Sequence, residues 1–466
     1  MMNTQEFLAS RVHFIGIGGG GMSGIARILL ALGVDVSGSD LKDSTALDGL
    51  RTLGAKISIE HRASNVPANA VIVVSSAISS SNVELMHAQS NHQTILPRAE
   101  ALALIMSPYQ SIAVAGTHGK TTTTSMITVA LQRCGADPSF SIGAAVSQSG
   151  TNAHLGSGRI FVAEADESDG SFLAYQPHGA VITNIELDHV DNFASQEEMD
   201  ALFQKFISSI RGGGFLVAGT DDVGVNRVLA HHRDHNSHRS DVAVITYGEN
   251  SSADLKIDRI ALTRTGSSSR MTWRGRVLGE LTLNVPGRHN IANAAAALAT
   301  TLHLGFSPEQ LFAGLKSFTG ARRRFEIKGE VNGVTVIDDY GHHPTEIRVT
   351  LAAARTFAGS GKVFVIFQPH RFSRTAKFAA NFATELAEAD HTYLLEIYGA
   401  SEKPIPGVTS LSIAKLMPPD RVHYEPSMPA VIESVAAAAH SGDVIVTLGA
   451  GDVNSLGPLI LDYLQK

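Results

Sequence analysis

The segment Ile112-Ala-Val-Ala-Gly-Thr-His-Gly-Lys-Thr-Thr-Thr-Thr124 joins a short apolar run to a glycine turn, one lysine and a row of hydroxyls. The apolar run is typical of a buried strand, and the hydroxyl residues open a helical stretch. Gly116 and Gly119 would let the backbone turn close to an anion at the helix N-terminus. Lys120 would place its charge on the β- and γ-phosphates of a nucleotide, and Thr121 would offer a hydroxyl to Mg²⁺. The segment therefore predicts a strand, a phosphate-binding loop and a helix.

This loop departs from the usual phosphate-loop pattern at one position. The pattern has a glycine five residues before Gly119, where this chain has Val114. The variant therefore indicates a particular kind of ATP-dependent enzyme. The structural alternative is a strand-to-helix turn that carries an incidental lysine.

Composition limits the classes of function. The 466 residues suggest about three domains, and hydrophobic residues at 44% are ample for burial. A net charge of −7 gives no basic surface, so a nucleic acid polymer is not an expected partner. The single cysteine, Cys134, excludes a disulfide framework. We found neither a signal sequence nor an apolar run long enough for membrane insertion, so a cytoplasmic location is expected.

Alternating strand and helix patterns run along most of the chain and predict an α/β fold with three domains, each on a largely parallel sheet. The expected domains are a Rossmann-like N-terminal domain (1–107), a central ATPase domain of the phosphate-loop type (108–323) and a Rossmann-like C-terminal domain (324–466). Predicted strands are 12–17, 34–40, 56–59, 70–74, 160–163, 180–184, 215–218, 255–262, 278–285, 334–338, 362–367, 392–395 and 443–448. Predicted helices include 22–32 and 291–302. A polar stretch holding His231, His232, His235 and His238 is interpreted as a solvated loop rather than a metal site.

A second glycine loop, Gly16-Ile-Gly-Gly-Gly-Gly-Met-Ser-Gly24, follows the first predicted strand, and Asp40 ends the next one. The pattern is that of a dinucleotide site. The pattern requires only that a diphosphate can approach a helix N-terminus and that an acidic residue is nearby. A nucleotide-diphosphate sugar meets that requirement too. NAD, a nucleotide sugar and a purely structural turn stay open at this point.

Polar and charged residues follow several other predicted strands. Two acidic segments are Phe161-Val-Ala-Glu-Ala-Asp-Glu-Ser-Asp169 and Thr183-Asn-Ile-Glu-Leu-Asp-His-Val-Asp191. Carboxylates at the carboxyl end of a strand suit Mg²⁺, although an acidic surface turn is the alternative for the first segment. In the last domain, Arg371 and Arg374 are three residues apart and form a candidate clamp for a carboxylate or phosphate.

Together, the motifs GTHGKTTT, EADESDGSFL, NIELDHVDNF, NVPGRHNIANAAAA, RRRFE, DDYGHHPTEI and FQPHRFSRT resemble the Mur ligase family over nearly the whole chain. The resemblance implies ATP-dependent formation of an amide between UDP-N-acetylmuramate and L-alanine through an acyl phosphate, in peptidoglycan precursor synthesis. It also implies ATP and Mg²⁺ as cofactors.

The resemblance further implies residue roles. The expected catalytic residues are Lys120, His118 and His189. The expected ATP-binding residues are Gly116, Thr117, His118, Gly119, Lys120, Thr121, Thr122, Asn290, Asn293, Arg324 and Asp339. The expected metal ligands are Thr121, Glu167 and His189. The expected substrate contacts are Gly18, Gly19, Ser39, Asp40, Ser75, Ser76, Tyr340, His342, Arg371 and Arg374.

Three other functions would account for part of the sequence pattern. A sister ligase that attaches a preformed peptide to the same sugar would need a wider C-terminal pocket. An NAD-dependent dehydrogenase would explain the first glycine loop and leave Lys120 without a role. A non-catalytic nucleotide-binding regulator would need neither the acidic segments nor the arginine pair.

Overall fold

The computed structural model describes residues 2–235, 241–400 and 402–466. Its contacts divide the chain into two units. The first takes in the chain up to Ile185, then Asp200–Leu255 and Ala296–Gly314. The second comprises Glu186–Met199, Lys256–Ala295 and Leu315–Lys466.

The first unit begins with a parallel sheet in the order β3-β2-β1-β4-β5. β1 (Val12–Ile15) is wholly buried and apolar except for His13, which suits its central place. The elements are α1 (Thr4–Leu8), β1 (Val12–Ile15), α2 (Gly20–Ala31), β2 (Val36–Asp40), α3 (Thr45–Thr52), β3 (Lys56–Ile59), a 3₁₀ turn (Ala63–Asn65), β4 (Val71–Val74), α4 (Val83–Ser90), β5 (Ile95–Pro97) and α5 (Arg98–Met106).

The part of a second sheet that lies in the same unit has the order β12-β11-β10-β6-β9-β7-β8. Neighbouring strands are parallel except for β7 and β8. β6 is central because its apolar residues are buried on both faces. The elements are β6 (Gln110–Ala115), α6 (Lys120–Arg133), β7 (Ser139–Ser141), β8 (Ala153–His154), β9 (Ile160–Glu164), a 3₁₀ turn (Ser171–Ala174), β10 (Gly179–Ile182), α7 (Gln196–Ser208), β11 (Phe215–Gly219), α8 (Val223–His235) and β12 (Ala243–Gly248).

Three strands and two helices follow β12 in the chain. β14 and β15 form an antiparallel pair whose register shifts between Met271 and Thr272. The elements are β13 (Leu255–Leu262), β14 (Ser267–Trp273), β15 (Arg276–Leu283), α9 (Arg288–His303) and α10 (Pro308–Ser317).

The second unit contains a sheet in the order β16-β17-β21-β18-β19-β20. Only β16 and β17 pair in an antiparallel manner among the pairs of this sheet in the described residues. Apolar clusters cover the strands, with Ile337 in one and Phe364 in the other. The elements are β16 (Glu326–Val331), β17 (Val334–Asp339), α11 (Pro344–Ala358), β18 (Val363–Phe367), α12 (Phe372–Leu386), β19 (His391–Leu394), α13 (Leu411–Ala414), β20 (Val422–Tyr424), α14 (Met428–Ala438), β21 (Val444–Leu448), a 3₁₀ turn (Asp452–Ser455) and α15 (Leu456–Leu464).

The predicted α/β class with largely parallel sheets is confirmed. The solvated-loop prediction for the histidine-rich stretch is wrong for His231, His232 and His235, because α8 extends to His235. His232 is buried on this helix, while His238 lies outside the described residues. None of the helices in the described part of the chain combines the length and apolar character that a membrane crossing requires.

Candidate functional site

The loop between β6 and α6 has a backbone that only glycine fits well. Gly116 has a φ of +133°, and a Cβ there would lie 2.1 Å from the Thr183 hydroxyl oxygen. Gly119 has a φ of +83° and precedes the first residue of α6. The strand, loop and helix predicted from the sequence are therefore present.

The residues that follow β10 hold this loop. The Thr117 amide donates to the Asn184 carbonyl at 3.0 Å, and the His118 amide donates to Asn184 Oδ1 at 2.8 Å. Thr183 Oγ1 and Asn184 Nδ2 both donate to the His118 carbonyl, at 2.6 and 3.0 Å. The first amides of α6, including that of Lys120, have no intrahelical acceptor and can receive an anion.

Lys120 lies across the loop. Its Nζ donates to the carbonyls of Gly116 at 2.7 Å and Thr117 at 3.1 Å, and to Glu167 Oε1 at 2.9 Å. Burial alone would lower the pKa of Lys120, but the neighbouring carboxylates outweigh burial and raise it. The side chain is therefore a fixed cation at the mouth of the loop.

Two carboxylates of the EADESD motif meet this loop. Glu164, the last residue of β9, accepts from Thr121 Oγ1 at 2.9 Å and from the Gly143 amide at 2.6 Å. Glu167 is fully buried beside Lys120, and burial raises its pKa to about 7. The carboxylate that contacts Thr121 is thus Glu164, which the sequence analysis did not single out although it stands first in the motif.

The first glycine loop is held by the end of β2. The amides of Gly16 and Ile17 donate to the Ser39 carbonyl at 2.9 and 3.0 Å. The Gly18 amide donates to Asp40 Oδ2 at 2.8 Å. Asp40 is therefore engaged with the loop itself, and the Ser39 side chain is wholly buried.

Other predicted substrate residues lie at the same edge of the first sheet. Gly19 precedes α2, which begins at Gly20 rather than at the predicted Met22. Ser75 and Ser76 form the turn directly after β4, and Ser76 is exposed.

A polar contact joins the first glycine loop to the segment that holds Glu164. Asn152 Nδ2 donates to the Gly20 carbonyl at 2.7 Å, and Gly143, nine residues before Asn152, donates its amide to Glu164. The glycine loop and the phosphate loop are thus linked within the first unit.

In the second unit, both arginines of the FQPHRFSRT motif pair with carboxylates of the NIELDHVDN motif. Arg374 is 2% exposed and donates to Asp188 Oδ1 from Nε at 2.9 Å and Nη2 at 2.7 Å. Arg371 forms an ion pair with Asp191 and keeps a side chain that is 29% exposed. His189, between the two aspartates, adopts a left-handed backbone with a φ of +49°.

A row of aromatic and imidazole rings lies beside Arg374, which is 3.1 Å from the Nδ1 atom of His370. Tyr340 and His342 meet edge to face at 5.3 Å between ring centroids, and His342 meets His370 at 5.5 Å. Burial, with Arg374 nearby, lowers the pKa of His342 to about 3. Burial likewise lowers the pKa of His370 to about 4, so both rings are neutral near pH 7.

The predicted nucleotide residues of the second unit lie on α9, on β17 and in the loop before β16. Asn290 and Asn293 are buried on one face of α9, and Asn290 Nδ2 donates to the Pro286 carbonyl at 2.7 Å. Asp339 accepts from the amides of Phe325 and Gly341, both at 2.8 Å. Burial raises the pKa of Asp339 to about 6 against the opposing charge of Arg324.

In this phosphate loop the lysine, Lys120, contacts Glu167, and the hydroxyl of Thr121 donates to Glu164. These features define a nucleotide-binding enzyme of the phosphate-loop type. The chain belongs to the Mur ligase family. Three models match it: "Mur ligase family, catalytic domain" over residues 11–110, "Mur ligase middle domain" over 114–301, and "Mur ligase, glutamate ligase domain" over 323–451.

Relatives of known name resemble the chain over nearly its whole length. A UDP-N-acetylmuramate–L-alanine ligase of Acidothermus cellulolyticus is 48% identical, covering 98% of this chain and 95% of that protein. A ligase of the same name from Saccharopolyspora erythraea is also 48% identical, over 98% and 94%. The crystal structure of a UDP-N-acetylmuramate-alanine ligase from Thermotoga maritima is 28% identical with a TM-score of 0.80, covering 98% of this chain and 99% of that one.

Proposed function

We propose that this chain joins L-alanine to UDP-N-acetylmuramate and converts ATP to ADP and phosphate, in peptidoglycan precursor synthesis. The observation that carries the proposal is the 48% identity, over 98% of the chain, to a ligase of that name. The phosphate loop of Gly116–Thr121 supports it with a site for ATP. A cytoplasmic location, expected from the sequence, stays a prediction.

The chemistry requires activation of a carboxylate, because hydroxide is a poor leaving group. An oxygen of the lactyl carboxylate attacks the γ-phosphorus of ATP, and the bond from that phosphorus to the ADP oxygen breaks. The amine of L-alanine then attacks the acyl carbon of the resulting acyl phosphate through a tetrahedral intermediate. The bond between the acyl carbon and the phosphate oxygen breaks, and phosphate leaves with that oxygen and the electron pair. The amine loses a proton, and the amide remains.

In this proposal Lys120 stabilises the charge on the γ-phosphate. Its ammonium stays protonated because the surrounding carboxylates raise its pKa, and it would exchange the carbonyls of Gly116 and Thr117 for phosphate oxygens. His118 lies in the same loop and would face the reacting carboxylate. The amides at the start of α6, with Gly119 and Thr122, would bind the other phosphate oxygens.

The donor set around Thr121 fits Mg²⁺. A hydroxyl and the carboxylates of Glu164 and Glu167 are the hard oxygen ligands that Mg²⁺ prefers, and phosphate oxygens complete such sites. Mg²⁺ held there would neutralise charge on the transferring phosphoryl group. We assign Thr121 and Glu164 as the primary ligands because they already touch at 2.9 Å, with Glu167 and His189 as further candidates.

The nucleotide and amino-acid contacts of the second unit remain proposals. Asn290, Asn293, Arg324 and Asp339 would contact ATP. The alanine carboxylate would bind Arg371, because that guanidinium is partly exposed whereas Arg374 is buried on Asp188. Tyr340 and His342 would line the pocket, and a held carboxylate leaves the amine free to attack.

The UDP-sugar would bind at the first glycine loop. Gly18, Gly19, Ser75 and Ser76 lie at the carboxyl edge of the first sheet, the usual ligand edge of such sheets. Asp40 shapes this loop through the Gly18 amide. We also propose the functional division 1–107, 108–323 and 324–466 for UDP-sugar binding, ATP binding and amino-acid binding.

An assay of ADP release with a panel of amino acids and peptides tests the function. We expect turnover that requires both UDP-N-acetylmuramate and L-alanine. Turnover with either alone, or a preference for a tripeptide, would overturn the proposal.

A variant pair tests the phosphate loop. Lys120→Ala should abolish ADP release without unfolding the chain, because it removes the cation at the γ-phosphate. Lys415→Ala, at an exposed lysine after α13, is the matched control and should behave like the wild type. Near-normal turnover of Lys120→Ala would exclude the proposed phosphate role.

A further inference from the structure

A buried carboxylate in the first unit has no part in the function proposed above. Glu84 lies in the first turn of α4 and its side chain is wholly inaccessible to solvent. A charged side chain is almost never fully buried unless donors surround it. Its surroundings therefore indicate what this carboxylate is for.

Several donors converge on Glu84 from other elements. Asn65 Nδ2 and the Arg62 amide donate to Oε1 at 2.7 and 3.1 Å. Ser39 Oγ donates a short hydrogen bond to Oε2, and His61 Nδ1 lies 3.4 Å from the same oxygen. The carboxylate thus ties the end of β2, the residues after β3 and the 3₁₀ turn to α4.

The charge state of this group follows from the same contacts. Burial alone would raise the pKa of Glu84, but donors from His13, Ser39, Asn65 and the Arg62 amide outweigh burial and lower it to about 2. Glu84 is therefore an ionised carboxylate near pH 7, and an ionised carboxylate only accepts hydrogen bonds.

The direction of each hydrogen bond near Ser39 can then be assigned. Ser39 has one hydroxyl hydrogen, which it donates to Glu84. Its oxygen also lies 2.8 Å from His61 Nδ1, so His61 must donate that hydrogen bond. A neutral His61 ring therefore carries its hydrogen on Nδ1 and leaves Nε2 as an acceptor.

This network supports the first glycine loop directly. The Ser39 carbonyl accepts from the amides of Gly16 and Ile17 at 2.9 and 3.0 Å. The same residue is held by Glu84 through its side chain. Glu84 thereby fixes both the start of the glycine loop and the ring of His61 at the edge of the sheet where ligands bind.

We propose that Glu84 is a positioning residue for the nucleotide sugar: it holds Ser39, and through it the glycine loop and the His61 ring, in the geometry that binds the UDP moiety. The inference rests on the proposed function for the identity of the ligand. It does not make Glu84 a ligand contact, since Glu84 is fully buried.

Nitrogen-15 NMR of the imidazoles in the wild-type protein tests the network without any activity. The His61 signal is assigned by its loss in His61→Gln. We expect the Nδ1–H tautomer for His61 in the wild type, and the Nε2–H tautomer would overturn the proposal. This measurement tests the hydrogen-bond network of Glu84 even if a Glu84 variant fails to fold.

Kinetics of Glu84→Gln test the consequence for binding. We expect the KM for UDP-N-acetylmuramate to rise about tenfold, because a charge-assisted hydrogen-bond set is lost, while kcat and the KM values for ATP and L-alanine stay close to the wild type. Glu100→Gln removes an exposed carboxylate from α5 and should leave all constants unchanged. An unchanged KM for the sugar, or an equal rise in all three KM values, would contradict a positioning role.

The two proposals fail differently. If the wild type does not turn over UDP-N-acetylmuramate and L-alanine, the proposed function is wrong. Calorimetric titration of UDP into the wild type and Glu84→Gln then decides the role of Glu84, with equal affinities overturning it.

Discussion

Replacing Arg374 by alanine would leave Asp188 buried without the guanidinium that pairs with it. Both side chains are at most 3% exposed, and two donor nitrogens of Arg374 lie 2.7 and 2.9 Å from one oxygen of Asp188. Removing one partner of such a pair costs about 3–5 kcal/mol. At about 1.4 kcal/mol per factor of ten, local opening around α12 should become about 150- to 4000-fold more frequent.

The pH dependence of this loss has a definite sign. Burial alone would raise the pKa of Asp188, but Arg374 outweighs burial and, with the nearby histidines, holds that pKa far below its usual range. A depressed pKa contributes stability above the pKa of the unfolded chain, about 3.9, and that stability is lost as the pH falls below it. Without Arg374, burial raises the pKa of Asp188, so the variant takes up a proton on acidification. The difference in stability between the two proteins should therefore narrow as the pH falls from about 7 towards 5.

Native-state hydrogen exchange measures the free energy of local opening around α12, which suits a chain of several domains. The amides of α12 should exchange faster in Arg374→Ala, with the difference largest near neutral pH. Arg348→Ala is the control, because Arg348 is 58% exposed and lies 3.9 Å from Glu385. Such surface pairs contribute about 0–1 kcal/mol. Exchange of α12 that is no faster in Arg374→Ala than in the control would refute the reasoning.

Three more predictions concern the phosphate loop. Gly116→Ala should abolish the binding of ADP measured by calorimetry, because the new Cβ would lie 2.1 Å from the Thr183 hydroxyl oxygen. The control, Gly135→Ala, also lies at a positive φ but has open space around it and should bind ADP normally. ADP binding by Gly116→Ala would contradict the loop geometry. Glu164→Gln should raise the Mg²⁺ concentration for half-maximal turnover about tenfold or more, and an unchanged Mg²⁺ titration would remove Glu164 from the metal site. Glu167 should titrate near pH 7 in carbon-13 NMR of the ligand-free protein, since burial raises its pKa from 4.5 to about 7. Between those two pH values the folded chain holds a proton that the unfolded chain releases, so this carboxyl makes folding less favourable as the pH rises. A titration midpoint below about 5 would exclude the raised pKa.

Elements with strong apolar patterns were predictable from the sequence. β3 and β13 were predicted with the bounds that the structure has, and the apolar run that begins at Ile112 was predicted as a buried strand, which is β6. β8 was missed because two residues, Ala153–His154, carry no periodicity. α8 was not predicted, and its last residues were interpreted as a loop, because they are polar and lack an apolar stripe.

The candidate site was predictable as far as local motifs reach. The phosphate loop and its lysine follow from spacing within a few residues. The contact of Thr121 with Glu164 rather than Glu167 depends on the path of the chain after β9, which spacing does not determine. The pairing of Arg374 with Asp188 joins residues 186 positions apart, and no local pattern predicts such a contact.

The segment Glu186–Met199 has a practical consequence for work with pieces of this chain. This segment belongs to the second unit. The long C-terminal part of that unit begins at Leu315, more than a hundred residues further along the chain. A truncated fragment that starts at Leu315 would contain Arg374 but not Asp188. We therefore expect such a fragment to express poorly, and supplying the missing peptide in trans, or fusing it to the fragment, would be the rational route to a stable C-terminal piece.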